Sequence, residues 1–207
     1  MNSDPIKVVG IGGSLRSQSY SYIALECVLR LLRQNGCTTQ LLDLRAMRLP
    51  FCNGNPHEPW AAFPSVLQMR AAVTHAHAIV LVTPEYHGSV SGVLKNALDL
   101  LSAEHFEGKV VGLMSVLGGP PNLNALNDLG TIMRACHAWV MPLQIAVGHV
   151  ENTFDGDRIL DAGLERRFQN FARRLAMSAS RISTGDAPVN QPLRLAFEAP
   201  RHRAESL

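Results

Sequence analysis

Ala76-His77-Ala78-Ile79-Val80-Leu81-Val82-Thr83-Pro84 is the stretch on which the fold turns. Its apolar residues run almost continuously instead of alternating, so a strand built from them is buried on both faces. Parallel sheets covered by helices on two sides contain such strands. Pro84, which lacks a backbone N–H, marks the predicted end of this one.

The flanking segments repeat the theme. Residues 6–11 form a β-rich run that ends in glycines, and residues 38–44 read as a second strand. Residues 109–117 and 139–147 supply two more, the last interrupted at Pro142. Helical periodicity fills the intervals at 19–35, 64–75, 91–101, 124–137 and 160–177. In the first helix Ile23, Cys27, Val28, Leu31 and Leu32 share one face and Glu26, Arg30, Arg33 and Gln34 the other. In the last, Leu164, Phe168, Phe171 and Leu175 recur at helical spacing. Five strands separated by helices predict an open α/β fold with a parallel sheet. Ligands of such folds bind beyond the carboxyl ends of the strands. That directs attention to the loops at 12–21, 84–91 and 117–123.

Composition sets the frame. The 207 residues are 46% hydrophobic and 17% charged, the balance of a packed globular chain of one domain or two small ones. Nineteen basic against 17 acidic residues leave a net charge of +2, which gives no argument for nucleic acid as a partner. No apolar run approaches the roughly 18 residues of a membrane span. Cys27, Cys37, Cys52 and Cys136 show no paired spacing and read as reduced thiols, so the expected setting is cytoplasmic. The histidines are isolated or lie in a buried strand region, and no metal site is expected.

The first of the three loops reads Gly10-Ile11-Gly12-Gly13-Ser14-Leu15-Arg16-Ser17-Gln18-Ser19-Tyr20-Ser21 and runs from a strand into a helix N-terminus. Leu15 stands where a dinucleotide fingerprint needs its third glycine. The P-loop pattern fails in every register, and Arg16 stands where a nucleophile elbow needs glycine, which counts against a serine hydrolase using Ser14. What remains is a hydroxyl-rich loop with one arginine at a helix N-terminus, a composition suited to a phosphate monoester. The plainer alternative is a polar turn with Ser19 as N-cap.

The second loop, Pro84-Glu85-Tyr86-His87-Gly88-Ser89-Val90-Ser91, continues into Gly92-Val93-Leu94-Lys95-Asn96-Ala97-Leu98-Asp99. Lys95, Asn96 and Asp99 fall on the polar face of a helix, where capping, pairing or a subunit contact explains them. The third loop, Leu117-Gly118-Gly119-Pro120-Pro121-Asn122, lets backbone approach a flat ligand closely or makes a Gly-Pro turn.

Together the first two loops, in the forms GSLRxxSxS and PEYxxSxxGxLKNAxD, resemble the NADPH-dependent FMN reductases, a group that includes quinone, azo-dye and chromate reductases. The resemblance runs from about Val8 to Pro142. It implies a flavodoxin-like three-layer sandwich with a five-stranded parallel sheet of order 2-1-3-4-5. It implies an FMN domain over residues 1–179, with residues 180–207 as a C-terminal extension. Ser14, Arg16, Ser19, Tyr20 and Ser21 would surround the FMN phosphate, and Pro84, Glu85, Tyr86, His87 and Gly88 would line the isoalloxazine. Gly118 and Gly119 would approach its N1 and O2 edge. His87 replaces a common asparagine and Ser91 a common proline. No catalytic side chain is implied, because the chemistry belongs to flavin N5. The implied activity is ping-pong hydride transfer from NADPH or NADH through FMN to quinones, free flavin or other small-molecule acceptors. The alternative is a flavodoxin-type electron carrier or redox sensor, which the slightly basic charge disfavours. The resemblance also implies a homodimer or homotetramer, with the long 45–63 loop beside the flavin and a neighbouring subunit. Phe51, Trp60 and Phe63 in that loop are expected to be covered.

Overall fold

The computed structural model describes residues 4–55 and 57–183. A central sheet carries β1 (Lys7–Gly12), β2 (Thr38–Leu42), β3 (Ala78–Tyr86), β5 (Val110–Val116) and β6 (Trp139–Val140) in the order β2-β1-β3-β5-β6. These pairings are parallel. Two short strands lie off this path: β4 (Ser89–Val90) pairs antiparallel with β3, and β7 (Ile145–Val147) pairs parallel with β5. The expected fifth strand is therefore two pieces, β6 and β7, with Pro142 between them. Counting the pieces as one strand recovers the expected order.

The alternation of side chains along each strand divides the apolar core into two layers. Val8, Val80 and Val82 point to one face, which helices α1 (Tyr20–Gln34) and α5 (Ala162–Ser183) cover. Val9, Ile11, Ile79 and Leu81 point to the other, under α2 (Pro64–His75), α3 (Gly92–Asp99) and α4 (Asn124–Ala135). Ala78 to Val82 are fully buried, as the continuous apolar run requires.

Several boundaries differ from expectation for physical reasons. Strand β3 continues through Pro84 to Tyr86. The Val82 carbonyl faces β1 and accepts from Gly13 N–H, and Pro84, two residues on, faces the same side. There β1 has already ended, so the missing donor removes no ladder bond. Helix α5 runs past Met177 to Ser183 and through the expected division at 179/180; the rest of the proposed extension, 184–207, lies outside the described residues. A hairpin of β8 (Phe154–Asp155) and β9 (Arg158–Ile159) also appears, packed on α1 through stacked Tyr20 and Phe154 rings. Trp60 and Phe63 pack against the core as expected, but Phe51 is 91% exposed. Among the described residues no helix is long and apolar enough to cross a membrane.

Candidate functional site

The loops after β1, β3 and β5 meet at the carboxyl end of the sheet. One cleft there is lined by Ser14, Arg16, Ser19, Tyr20, Ser21, Pro84, Glu85, Tyr86 and Gly118. His87, Gly88 and Gly119 lie just outside it, at the tip of the β3–β4 turn and one residue beyond Gly118. Gln18 and Leu117, from the first and third loops, also line the cleft, as do Val116 and Val150, which no sequence pattern singles out.

The floor of the first loop is fixed by close packing. A Cβ on Gly12 would lie 2.9 Å from the Tyr22 ring, and one on Gly13 would lie 2.8 Å from Ser91 Oγ and Leu94 Cβ. These glycines therefore serve contact with α1 and α3, not a dinucleotide. Ser91 is buried; its hydroxyl donates to the Gly13 carbonyl and, as N-cap of α3, accepts from Leu94 N–H. That double duty gives serine a role proline could not fill.

At the start of α1, Ser19 caps the helix by accepting from Tyr22 N–H at 3.4 Å. No acidic residue stands in the first turn, so nothing there competes for the partial positive charge of the helix N-terminus. Ser14 accepts from Arg16 N–H at 3.3 Å. The Arg16 guanidinium has no ion-pair partner among the described residues.

The second loop is a tight hairpin. Glu85 pairs with Val90 and Tyr86 with Ser89, leaving His87 and Gly88 as the two turn residues, with φ of 52° and 77°. Positive φ at both central positions defines a turn that favours Asn-Gly. His87 therefore occupies a left-handed position at which asparagine is the commoner solution. The hairpin is tied down on both flanks. Ser89 Oγ donates to Asp128 Oδ2 at 2.6 Å, and Glu85 Oε1 accepts from Asn122 Nδ2 at 2.8 Å. Glu85 is thus engaged as a tether between the second and third loops. The third loop is supported from behind, where His149 N–H donates to the Gly119 carbonyl at 2.9 Å. Gly118 and Gly119 have no positive φ, and a Cβ on either would meet nothing within 4 Å. Neither the packing of the chain nor its backbone conformation calls for glycine there.

Lys95 and Asp99 form an i,i+4 ion pair at 2.7 Å. Asn96 instead holds the long loop: its amide donates to Pro50 O at 3.0 Å and accepts from Cys52 N–H at 2.9 Å.

A parallel five-position sheet between two helical layers, with an anion-ready helix N-terminus and three loops around one cleft, defines a flavodoxin-type α/β protein. In keeping with this, the fold matches FerB of Paracoccus denitrificans, a flavoenzyme NAD(P)H:(acceptor) oxidoreductase, with a TM-score of 0.72 at 21% identity over 85% of this chain and 98% of that one. The sequence profile of the NADPH-dependent FMN reductases matches residues 6–152, and the chain belongs to this family. It is 31% identical over 195 residues to the NAD(P)H-dependent FMN reductase PA1204 of Pseudomonas aeruginosa, covering 87% of this chain and 98% of that protein. It is 37% identical over 116 residues to an NADPH azoreductase of a Bacillus species; that match takes in 55% of this chain and 64% of the azoreductase.

FMN and a reduced nicotinamide nucleotide are the cofactor and co-substrate of that family. The residues present fit FMN. Hydroxyls, an arginine and a helix N-terminus gather at one end of the cleft, where a phosphate monoester would sit. Gly118, on which a Cβ would meet nothing within 4 Å, lines the same cleft and leaves its backbone open to a ligand.

Proposed function

We propose that the chain binds FMN in this cleft and acts as an NAD(P)H-dependent reductase of small oxidants such as quinones or free flavin. Bound FMN would supply the hydride chemistry, accepting from the reduced nucleotide and passing on to the acceptor. The protein's part is to bind and orient. Ser14, Arg16, Ser19, Tyr20 and Ser21 hold the phosphate end. Pro84 to Gly88 and Gly118–Gly119 frame the ring system. The Glu85–Asn122 bond fixes the distance between those two walls. Nucleotide and acceptor would occupy the same open side of the cleft in turn, which makes the kinetics ping-pong.

The observation that carries this reading is the convergence of nine flagged residues from three loops on one cleft. Four free thiols support a reducing, cytoplasmic setting. Phe51, exposed on a segment that Asn96 fixes to α3, supports self-association as a homodimer or homotetramer.

The test is direct. Purified protein should be yellow and should oxidise NADPH with a quinone or ferricyanide as acceptor, giving parallel double-reciprocal plots. Colourless protein that fails to bind added FMN overturns the reading. Protein that binds FMN but leaves NADPH unoxidised is instead a flavodoxin-type carrier.

A further inference from the structure

The segment that follows β2, Asp43 to Arg45, touches the loop that follows β1. Arg45 makes a forked contact with Asp43, Nε to Oδ1 at 2.8 Å and Nη2 to Oδ2 at 2.7 Å. Its guanidinium lies 3.9 Å from the centroid of the Tyr22 ring. Its remaining nitrogen, Nη1, donates to the Ser17 carbonyl at 3.3 Å, across 28 residues of sequence. Tyr22 completes the brace: its buried hydroxyl donates to Gly12 O at 3.0 Å and accepts from Leu44 N–H at 2.9 Å.

The loop itself has little else to hold it. Among the described residues, Arg16 N–H to Ser14 Oγ is the one other hydrogen bond made by residues 15–18. Among the described residues, Arg45 is therefore the one residue outside the loop that hydrogen-bonds to the 15–18 segment. Asp43 neutralises the guanidinium, so the pair adds almost no net field at the cleft. Its contribution is geometric, and it depends on a planar fork that can pair, stack and donate at once.

We propose that Arg45 is a positioning residue that holds the 14–18 loop in the shape that accepts the phosphate of FMN, and that it thereby sets the preference for FMN over unphosphorylated riboflavin. The proposal rests on the FMN reading above. Lysine at this position keeps the charge and loses the fork and the stacking, so it does not restore function.

The experiment titrates FMN and riboflavin separately into full-length protein stripped of flavin, following the quenching of flavin fluorescence. Wild type, Arg45→Ala and Arg45→Lys are compared. The expected result is a rise of about tenfold in the FMN Kd for both variants, with the riboflavin Kd within about twofold of wild type. Unchanged FMN affinity in Arg45→Ala overturns the proposal. So does an equal loss for both flavins, which signals general damage, and so does full recovery in Arg45→Lys, which assigns the effect to charge. Should Arg45→Ala fail to fold, Arg45→Gln, which keeps two of the three methylenes and an amide donor, is read by the same criteria. Wild-type protein that binds neither flavin overturns the FMN reading itself, and this proposal with it.

Discussion

The side-chain amide of Asn122 donates to the carboxylate of Glu85 at 2.8 Å and joins two cleft walls that lie 37 residues apart. A carboxylate held this way is a strut. Glu85→Gln keeps an acceptor oxygen and should retain most of the turnover with an unaltered pH profile. Asn122→Ala removes the donor and should raise the Kd for FMN and riboflavin alike by about fivefold, on the scale of one hydrogen bond worth about 1 kcal/mol. Loss of the acidic or basic limb of the rate profile in Glu85→Gln would show that the carboxyl takes part in proton transfer.

His87 sits at a φ of 52° beside Gly88. Asparagine tolerates this conformation and β-branched residues do not. His87→Asn should leave the denaturation midpoint within measurement error. His87→Val should lower stability by about 1 kcal/mol in urea unfolding. Equal stability of the two variants would show that the turn relaxes out of its left-handed form.

Two glycines at the cleft should respond in opposite ways. Gly13→Ala forces a Cβ to within 2.8 Å of Ser91 Oγ and Leu94 Cβ and should destabilise the fold by about 1–3 kcal/mol. Gly118→Ala places its Cβ in open space and should leave the melting temperature unchanged while weakening FMN. A folding penalty for Gly118→Ala, or none for Gly13→Ala, would reverse the assignment.

Asp43 gives the acid response a sign. Hydrogen bonds from the Arg45 side chain hold its carboxyl below the ordinary value of 3.8. The charged form is therefore favoured by folding, and its contribution is present above about pH 4 and fades as the pH falls through the lowered pKa. The stability gap between wild type and Asp43→Asn should be full at pH 6 and should narrow on acidification to pH 3. A gap that stays constant over that range would mean the pair does not titrate with folding.

Much of this was legible in the sequence because burial on both faces leaves a plain signature. The run at Ala78–Val82 announced a central parallel strand, and Pro142 announced the break in the outermost one. The first loop's share of the cleft was legible because its residues are contiguous in sequence. Arg45 was not, since its meaning lies in contacts to Asp43, Tyr22 and Ser17 that only the folded chain assembles. The hairpin at Phe154–Ile159 consists of two-residue strands, too short for alternation to register. Phe51 broke the rule that aromatics are covered because hydrogen bonds to Asn96 fix the backbone on either side of it, whichever way the ring points.

The break between β6 and β7 reaches beyond the site. Among the described residues, only Val110–Val111 and Met114–Val116 of β5 find strand partners on the outer side, in pieces of two and three residues separated by Pro142. An incoming strand from another molecule meets no continuous row of free donors and acceptors along this border. The interruption blunts this border of the sheet against edge-to-edge strand addition, because two short pieces template an incoming backbone poorly.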